Sequence, residues 1–230
     1  MRRRAFPLVV LSVLASACDA SFNRDLVIAA QGRASGATTV NGRVEVGNGA
    51  QVSGDLRTVN GSIAVGTDAR TRDLATVNGA VAVGARAQTG DVVSVNGNVE
   101  LAGQVKASGA LRTVNGSLRV AGGTIVEGEV RTVNGAIDLR GTTVRGTVGN
   151  HAGDVRLLDG SLVEGDLVLD APDHPGERVD AVVIGVGAQV RGTLRALRPV
   201  RLYVHPSARL AAVVGATPIP FEGTDVTPDR

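Results

Sequence analysis

Three histidines are the side chains best suited to acid–base or metal chemistry, and they lie far apart at His151, His174 and His205. None stands at ligand spacing from a second histidine or a cysteine, so we expect no metal site. His174 lies beside Asp173 and Glu177 in a polar stretch, which we interpret as a solvated loop, with a functional site as the alternative. The other acids are scattered, and no nucleophile motif or phosphate-binding loop accompanies them. The sequence therefore predicts no catalytic residue, no metal and no cofactor.

Cys18 is the only cysteine, and it follows a segment with the features of an export signal. Three arginines at residues 2–4 precede a short apolar stretch, residues 6–17, which is too short to cross a bilayer as a helix. The run Leu-Ala-Ser-Ala-Cys18 resembles the lipobox of bacterial lipoproteins. This resemblance implies that residues 1–17 are removed and that Cys18 is lipidated. The alternative is an ordinary secretory signal that is cut nearby.

The net charge of the chain depends on this signal. The 24 basic residues of the whole chain, less the three arginines at residues 2–4, leave 21 against 22 acidic residues. The formal charge therefore changes from +2 to about −1 when the signal is removed. No basic run with interleaved aromatic residues is present, so we expect no binding of nucleic acid. The expected location is the bacterial cell envelope, with the anchored chain facing the periplasm or the cell surface.

The tripeptide Val-Asn-Gly occurs six times, and its copies begin at Val40, Val59, Val77, Val95, Val114 and Val133. A nearly fixed period this short indicates a solenoid, in which each repeat buries its apolar face against its neighbours. We interpret the motif as a corner, where asparagine adopts a left-handed conformation and glycine adds a second permissive position. Ligand binding by the motif is the alternative. The stacked asparagine amides are expected to form a structural ladder of Asn41, Asn60, Asn78, Asn96, Asn115 and Asn134.

Pairs of residues two apart recur every six residues, which places both side chains of a pair on one side of a strand. In one coil these pairs are Val81 with Val83, Ala87 with Thr89, and Val93 with Val95. Three such sides close one coil, whose length of about 18 residues equals the shorter step between motifs. The coils that are one residue longer are expected to insert this residue next to the Val-Asn-Gly corner. The sequence therefore predicts an all-β chain that forms a single-stranded, three-sided parallel β-helix.

A second repeat, aliphatic-x-Gly-[Asp/Glu/Thr]-aliphatic, continues the coil beyond the last Val-Asn-Gly. The step from Gly165 to Gly192 is one and a half coils long, so residues 171–180 are expected to protrude as a loop. The expected organisation is a signal peptide at 1–17, a lipid-anchored tether at 18–25, one β-helix at 26–215 and a proline-containing tail at 216–230.

The coil length, the glycine-rich corners and residues 181–194, Ala-Val-Val-Ile-Gly-Val-Gly-Ala-Gln-Val-Arg-Gly-Thr-Leu, resemble the bactofilins, polymer-forming cytoskeletal proteins of bacteria. The resemblance covers most of residues 36–215. It implies a right-handed, three-sided β-helix that polymerises end to end without nucleotide. Bactofilins begin with a short disordered segment where this chain has an export signal. The chain also resembles adhesin-like β-solenoids of bacterial envelopes, which repeat short strands around x-Gly-[Asp/Ser/Asn]-[Val/Ile] and often follow export signals.

Two classes of β-helical enzyme are further alternatives. The runs that begin at Val46, Val65, Val83 and Ile184 resemble the aliphatic-Gly-x-x-small-x repeat of hexapeptide acyltransferases, but Leu56 stands where that repeat needs a small residue. Polysaccharide-acting β-helices carry clustered carboxylates and aromatic side chains, whereas aromatic residues make up 2% of this chain. An enzyme is therefore the least favoured interpretation.

The preferred interpretation is a non-enzymatic envelope lipoprotein whose β-helix is structural or self-assembling. Its expected partners are the membrane, through lipidated Cys18, and an unidentified envelope component. Further copies stacked end to end would form a homopolymer, because free strand edges pair unless they are blocked. The alternative is a monomeric adhesin-like module that presents a β-helix face or residues 171–178 to a partner.

Overall fold

The computed structural model describes residues 19–21, 23–171, 179–224 and 226. In these residues the chain forms strands, turns and bends and contains no helix. In chain order the strands are β1 Asp19–Ser21, β2 Leu26–Ile28, β3 Arg33–Ala34, β4 Ala37–Thr39, β5 Val44–Val46, β6 Gln51–Val52, β7 Leu56–Thr58, β8 Ile63–Val65, β9 Leu74–Thr76, β10 Val81–Val83, β11 Gln88–Thr89, β12 Val92–Asn96, β13 Val99–Leu101, β14 Lys106–Ala107, β15 Leu111–Asn115, β16 Leu118–Val120, β17 Ile125–Val126, β18 Val130–Asn134, β19 Ile137–Arg140, β20 Thr143–Val144, β21 Val148–Ala152, β22 Val155–Leu158, β23 Leu162–Val163, β24 Leu167–Leu169, β25 Asp180–Ile184, β26 Gln189–Ala196, β27 Val200–Val204, β28 Arg209–Val214 and β29 Pro218–Pro220.

These strands stack in three parallel ladders, which form the three sides of the coil. Side A contains β1, β4, β7, β9, β12, β15, β18, β21, β24 and the ends of β26 and β28. Side B contains β2, β5, β8, β10, β13, β16, β19, β22, β25, β27 and β29. Side C contains β3, β6, a bridge at Arg70, β11, β14, β17, β20, β23 and the starts of β26 and β28. The predicted all-β parallel β-helix is confirmed as a solenoid of about ten turns, and strand spacing makes it about 45 Å long.

One continuous aliphatic core fills the coil. Val99, Leu101, Val105 and Leu111 point inward and are buried, as the period-two pattern predicts. In the preceding coil, however, the predicted alternation of inward and outward residues on side A is wrong by one residue. Val92 and Ser94 are buried there, and the predicted pair Val93 and Val95 faces outward. The prediction was wrong at this side because it took the valine of Val-Asn-Gly, and not the hydroxyl residue before it, as the inward residue.

The longer coils take their extra residue at the corner between sides C and A. Thr89 and Val92 flank this corner three residues apart, whereas Ala107 and Leu111, in the next coil, are four apart. The Val-Asn-Gly corner between sides A and B keeps a constant length in these coils. The expected insertion beside Val-Asn-Gly was therefore wrong. A residue inserted there would move the stacked asparagines out of line.

The extra residues that lengthen the second repeat are inserted at the corner between side A and side B, after β24 and before β25. Leu167 pairs with Leu194 and Val155 with Val182, so both sides show the same long step across the insertion. After this step the coil is less regular, since Asp180 pairs with Val200, 20 residues on, and the pairing of β26 with β28 shifts register between Val190 and Thr193. The predicted loop at 171–180 leaves the coil after Asp170, and its residues 172–178, including His174, lie outside the described residues.

Strand pairing extends beyond the expected limits of the β-helix at both ends. β1 lies in the expected tether, and its Asp19 pairs with Ala37 of β4, which continues the period of the coil. β29 lies in the expected tail and pairs with β27. The solenoid therefore begins next to Cys18, although Cys18 and residues 1–17 lie outside the described part of the chain.

Candidate functional site

The most regular surface of the rod is the Thr-Val-Asn-Gly corner at the end of side A. The asparagine side chains stack in one column, in which each amide nitrogen donates to the amide oxygen of the coil below. The bonds are Asn60 to Asn41 at 2.7 Å, Asn78 to Asn60, Asn96 to Asn78 and Asn115 to Asn96 at 2.8 Å each, and Asn134 to Asn115 at 3.0 Å. Asn41 donates in turn to Asn23 at 2.6 Å. Asn23 was missed by the sequence analysis because no Val-Asn-Gly surrounds it.

The residue before each valine forms a second, buried column. The Thr58 hydroxyl donates to the Gly42 carbonyl at 2.9 Å, and the Thr76 hydroxyl donates to the Gly61 carbonyl at 2.8 Å. Ser94 makes the same bond, to the carbonyl of Gly79 at 3.0 Å. A buried hydroxyl without a partner would cost free energy, so these bonds explain why threonine and serine are tolerated in an otherwise aliphatic core.

The glycine of the motif is required for close approach of the chain to itself. A Cβ atom on Gly97 would lie well inside van der Waals contact of the Gly79 carbonyl in the coil below. Left-handed backbone instead occurs at the corner between sides B and C, where Asp68, Arg86 and Gln104 have φ values of 59°, 58° and 63°. None of the six asparagines has a positive φ, so the expected left-handed conformation at this corner was wrong.

The outer surface carries ion pairs, most of them between neighbouring coils. They include Arg57–Asp55, Arg86–Asp68, Arg112–Glu129, Arg119–Glu100, Arg145–Glu127 and Arg191–Glu164, with N–O distances of 2.6 to 3.3 Å. The hydrogen bond from Arg86 lowers the pKa of Asp68. All of these side chains are substantially exposed, so each pair contributes little to stability. Their main effect is to neutralise much of the charge of the rod.

Arg198 is the one buried guanidinium in the described residues, with 5% of its side chain exposed. It donates to the carbonyl of Asn150 at 2.7 Å and to its amide oxygen at 2.5 Å. It also donates to the carbonyls of Asp170, at 3.2 Å, and Gly153, at 3.3 Å, and its Nη2 lies 3.2 Å from a carboxylate oxygen of Asp180. Burial lowers the pKa of Arg198, and the charge of Asp180 opposes this effect.

This network joins the two ends of the insertion. Asp170 precedes residues 172–178, and Asp180 follows them. The Oδ2 atom of Asp180 also accepts the N–H of Gly153 at 2.9 Å. Asn150 stands in the column of buried threonines, since it pairs with Thr132, and its amide donates to the Gly135 carbonyl at 2.9 Å. Sequence reasoning missed Arg198. The replacement of threonine by asparagine in this column was the available signal.

The histidines do not come together. His205 lies near the C-terminal end, with Nδ1 2.8 Å from the Ser207 hydroxyl and its ring edge-on to Phe221 at 5.6 Å. His151 is half-buried on side A and has an interaction partner of its own. Within the described ranges, no three His, Cys, Asp or Glu side chains are grouped so that they could hold a metal ion.

Comparison with protein-family models, with curated proteins and with solved structures finds no match to this chain. Among the described residues, no helix has the length and apolar character needed to cross a membrane.

Proposed function

We propose that this chain is a non-enzymatic structural element of the bacterial cell envelope. In this role Cys18 carries a lipid anchor and the β-helix acts as a rigid spacer that stands on the membrane. The observation that carries the proposal is the continuous stacking of parallel coils, which hydrogen-bonded Asn and Thr columns reinforce as far as Asn134 and Thr132. These columns add hydrogen bonds between neighbouring coils. They make the rod stiff, so that it holds its two ends at a fixed distance from each other.

The N-terminal end of the rod supports attachment at that point. β1 begins at Asp19 and is already paired with β4. An acyl group on Cys18 would therefore join the first rung of the solenoid with no flexible linker between them. The insertion between Asp170 and Asp180 lies about eight rungs above this end, which places its base about 40 Å from the anchor at ordinary strand spacing.

The C-terminal edge of side B favours a spacer over an end-to-end polymer. On this side the inward-facing residues donate their N–H groups to the following coil, as Val81 does to the Asn98 carbonyl at 2.9 Å. Pro218 and Pro220 occupy the same two columns in β29, the last rung, and proline has no N–H. On side B, the edge that another copy would pair with therefore lacks both of these donors, which is a known device against edge-to-edge association.

Membrane attachment is the first test of the proposal. We expect the intact mass of the chain extracted from membranes to equal residues 18–230 plus more than one acyl group. A single acyl chain binds membranes only reversibly, so a stable anchor needs a second one. The Cys18→Ser variant should move from the membrane fraction to the soluble fraction. An unmodified N-terminus, or cleavage at another position, would refute the anchor.

The blocked edge gives a second prediction. Replacing both prolines (Pro218→Val and Pro220→Val) restores two N–H donors in a β-prone strand, and we expect larger species in sedimentation velocity and filaments in electron micrographs. Pro206→Ala, at an exposed turn of the same region, is the matched control and should stay monomeric. If the unmodified rod already forms long end-to-end filaments, the prolines do not block growth and the polymer interpretation stands instead.

One observation favours a second candidate function. Arg198 holds the two ends of the insertion together from inside the coil, and burying a charge for this purpose is costly. A rod that presents residues 172–178 to a partner, as an adhesin-like binding module, would need the base of the insertion to be held in this way.

A further inference from the structure

Side C carries a column of exposed cationic and amide side chains over its first five rungs. The column alternates as Arg33, Gln51, Arg70, Gln88 and Lys106, and strand pairing places each residue directly above the one before it. Lys106 is the only lysine of the chain. Because neighbouring rungs are about 4.8 Å apart, the three cations recur at about 10 Å along the rod axis.

These three cations differ from most arginines of the rod surface in having no acidic partner within the described part of the chain. Arg33, Arg70 and Lys106 make no side-chain hydrogen bond or ion pair with any described residue, whereas most other surface arginines have an acidic partner. The nearby acids are engaged elsewhere. Asp68 binds Arg86, and the carboxylate of Asp73 accepts the N–H of Asp91 at 2.9 Å.

A shallow cavity of about 290 Å³ lies between the first two cations of the column. It is lined by Arg33, Ala34, Gln51, Val52, Ser53 and Arg70. Two free guanidinium groups therefore face one cavity, with an amide and a hydroxyl between them. Guanidinium groups bind carboxylates through two parallel hydrogen bonds, and amides and hydroxyls bind neutral sugar hydroxyls.

We propose that the column Arg33–Gln51–Arg70–Gln88–Lys106 binds an extended acidic polysaccharide, laid along side C parallel to the rod axis. The sugar carboxylates pair with the three cations, and the intervening sugar units contact the two glutamines. The column is one residue wide and runs along the rod, which fits a linear polymer. A flat anionic membrane would gain from the cations but would not need an amide at every second rung.

Polygalacturonate, a linear chain of carboxylated sugars, is the probe that tests this surface. The protein is the chain from residue 18 onward with Cys18→Ser, which contains all described residues and carries no lipid, so the result is independent of the proposed anchor. We expect binding in calorimetric titration that strengthens with polymer length and weakens with added salt. The triple variant Arg33→Gln, Arg70→Gln, Lys106→Gln should bind about tenfold to a hundredfold more weakly.

A second triple variant (Arg57→Gln, Arg112→Gln, Arg119→Gln) removes the same charge from arginines that are already ion-paired. We expect its affinity to fall by less than about threefold, because Arg57 and Arg112 lie on side A and Arg119 lies on side B, away from the column. An equal loss in both variants would overturn the proposal, since net charge alone would then explain binding. Equal binding of neutral dextran, or binding of anionic lipid vesicles without binding of polygalacturonate, would also overturn it. Both variants should keep the melting temperature of the unmodified chain, which excludes misfolding as the cause.

Discussion

Replacing Arg198 with methionine should destabilise the solenoid by about 3–5 kcal/mol, the range seen when one partner of a buried ion pair is removed. The substitution leaves the largely buried carboxylate of Asp180, 13% exposed, without its counter-charge. It also removes the donors to the amide oxygen of Asn150 and to the Asp170 carbonyl. The free energy of unfolding measured by urea denaturation checks this expectation. Hydrogen exchange localises the effect, since coils of a solenoid can open separately.

Two further variants make the Arg198 result interpretable. Arg191→Met removes an exposed arginine that pairs with Glu164, and its cost should stay below about 1 kcal/mol. The double variant Arg198→Met, Asp180→Asn keeps an oxygen for the Gly153 N–H but removes the unpaired charge, so it should recover about 1–2 kcal/mol of the loss. If Arg198→Met costs no more than Arg191→Met, the network does not hold the base of the insertion.

Replacing Gly97 with alanine should be nearly as damaging, with a loss of about 3 kcal/mol, the upper end of the range for overpacking. The added Cβ would meet the Gly79 carbonyl, and this carbonyl also accepts the hydroxyl of Ser94. The backbone cannot move away without breaking bonds between coils. Thermal and urea unfolding followed by circular dichroism will measure the loss.

Gly122 supplies the matched control for Gly97. A Cβ on Gly122 would have only the Arg140 carbonyl near it, at 3.7 Å, which is ordinary contact. Its φ does not lie in the left-handed range either. Gly122→Ala should therefore leave stability unchanged or raise it by up to about 1 kcal/mol, since alanine restricts the unfolded chain. Equal losses in the two variants would show that close approach is not the reason for glycine in Val-Asn-Gly.

The sequence was sufficient for the architecture because each coil contacts mainly its two neighbours. In such a fold the spacing of a motif along the chain is also its spacing in the stack, so a step of one coil places Asn60 directly above Asn41. The period of two along each strand likewise separated inward from outward residues on sides B and C. The long step from Gly165 to Gly192 marked the coil that carries the insertion.

The sequence pattern did not show which residues of side A face the core. Thr76 and Val77 both suit a β-strand, and valine is the more apolar of the two. Burial of Thr76 depends on a carbonyl acceptor, that of Gly61, which lies in the coil below. A sequence pattern shows the hydroxyl but not the acceptor. The conformation of the asparagines was misassigned for a related reason, because the close approach of Gly97 to Gly79 is a contact between coils.

By itself, the sequence determined the parallel β-helix, its coil length and the asparagine column, because these follow from a short period and nearest-neighbour stacking. Only the tertiary structure decided the contacts that do not repeat. Arg198 reaches Asn150 across 48 residues, and no period predicts that pairing. The unpaired cations of side C are likewise recognised only from the positions of the nearby acidic side chains, which are engaged elsewhere. Repeated contacts are encoded in spacing, whereas a contact made once depends on where two unrelated parts of the coil meet.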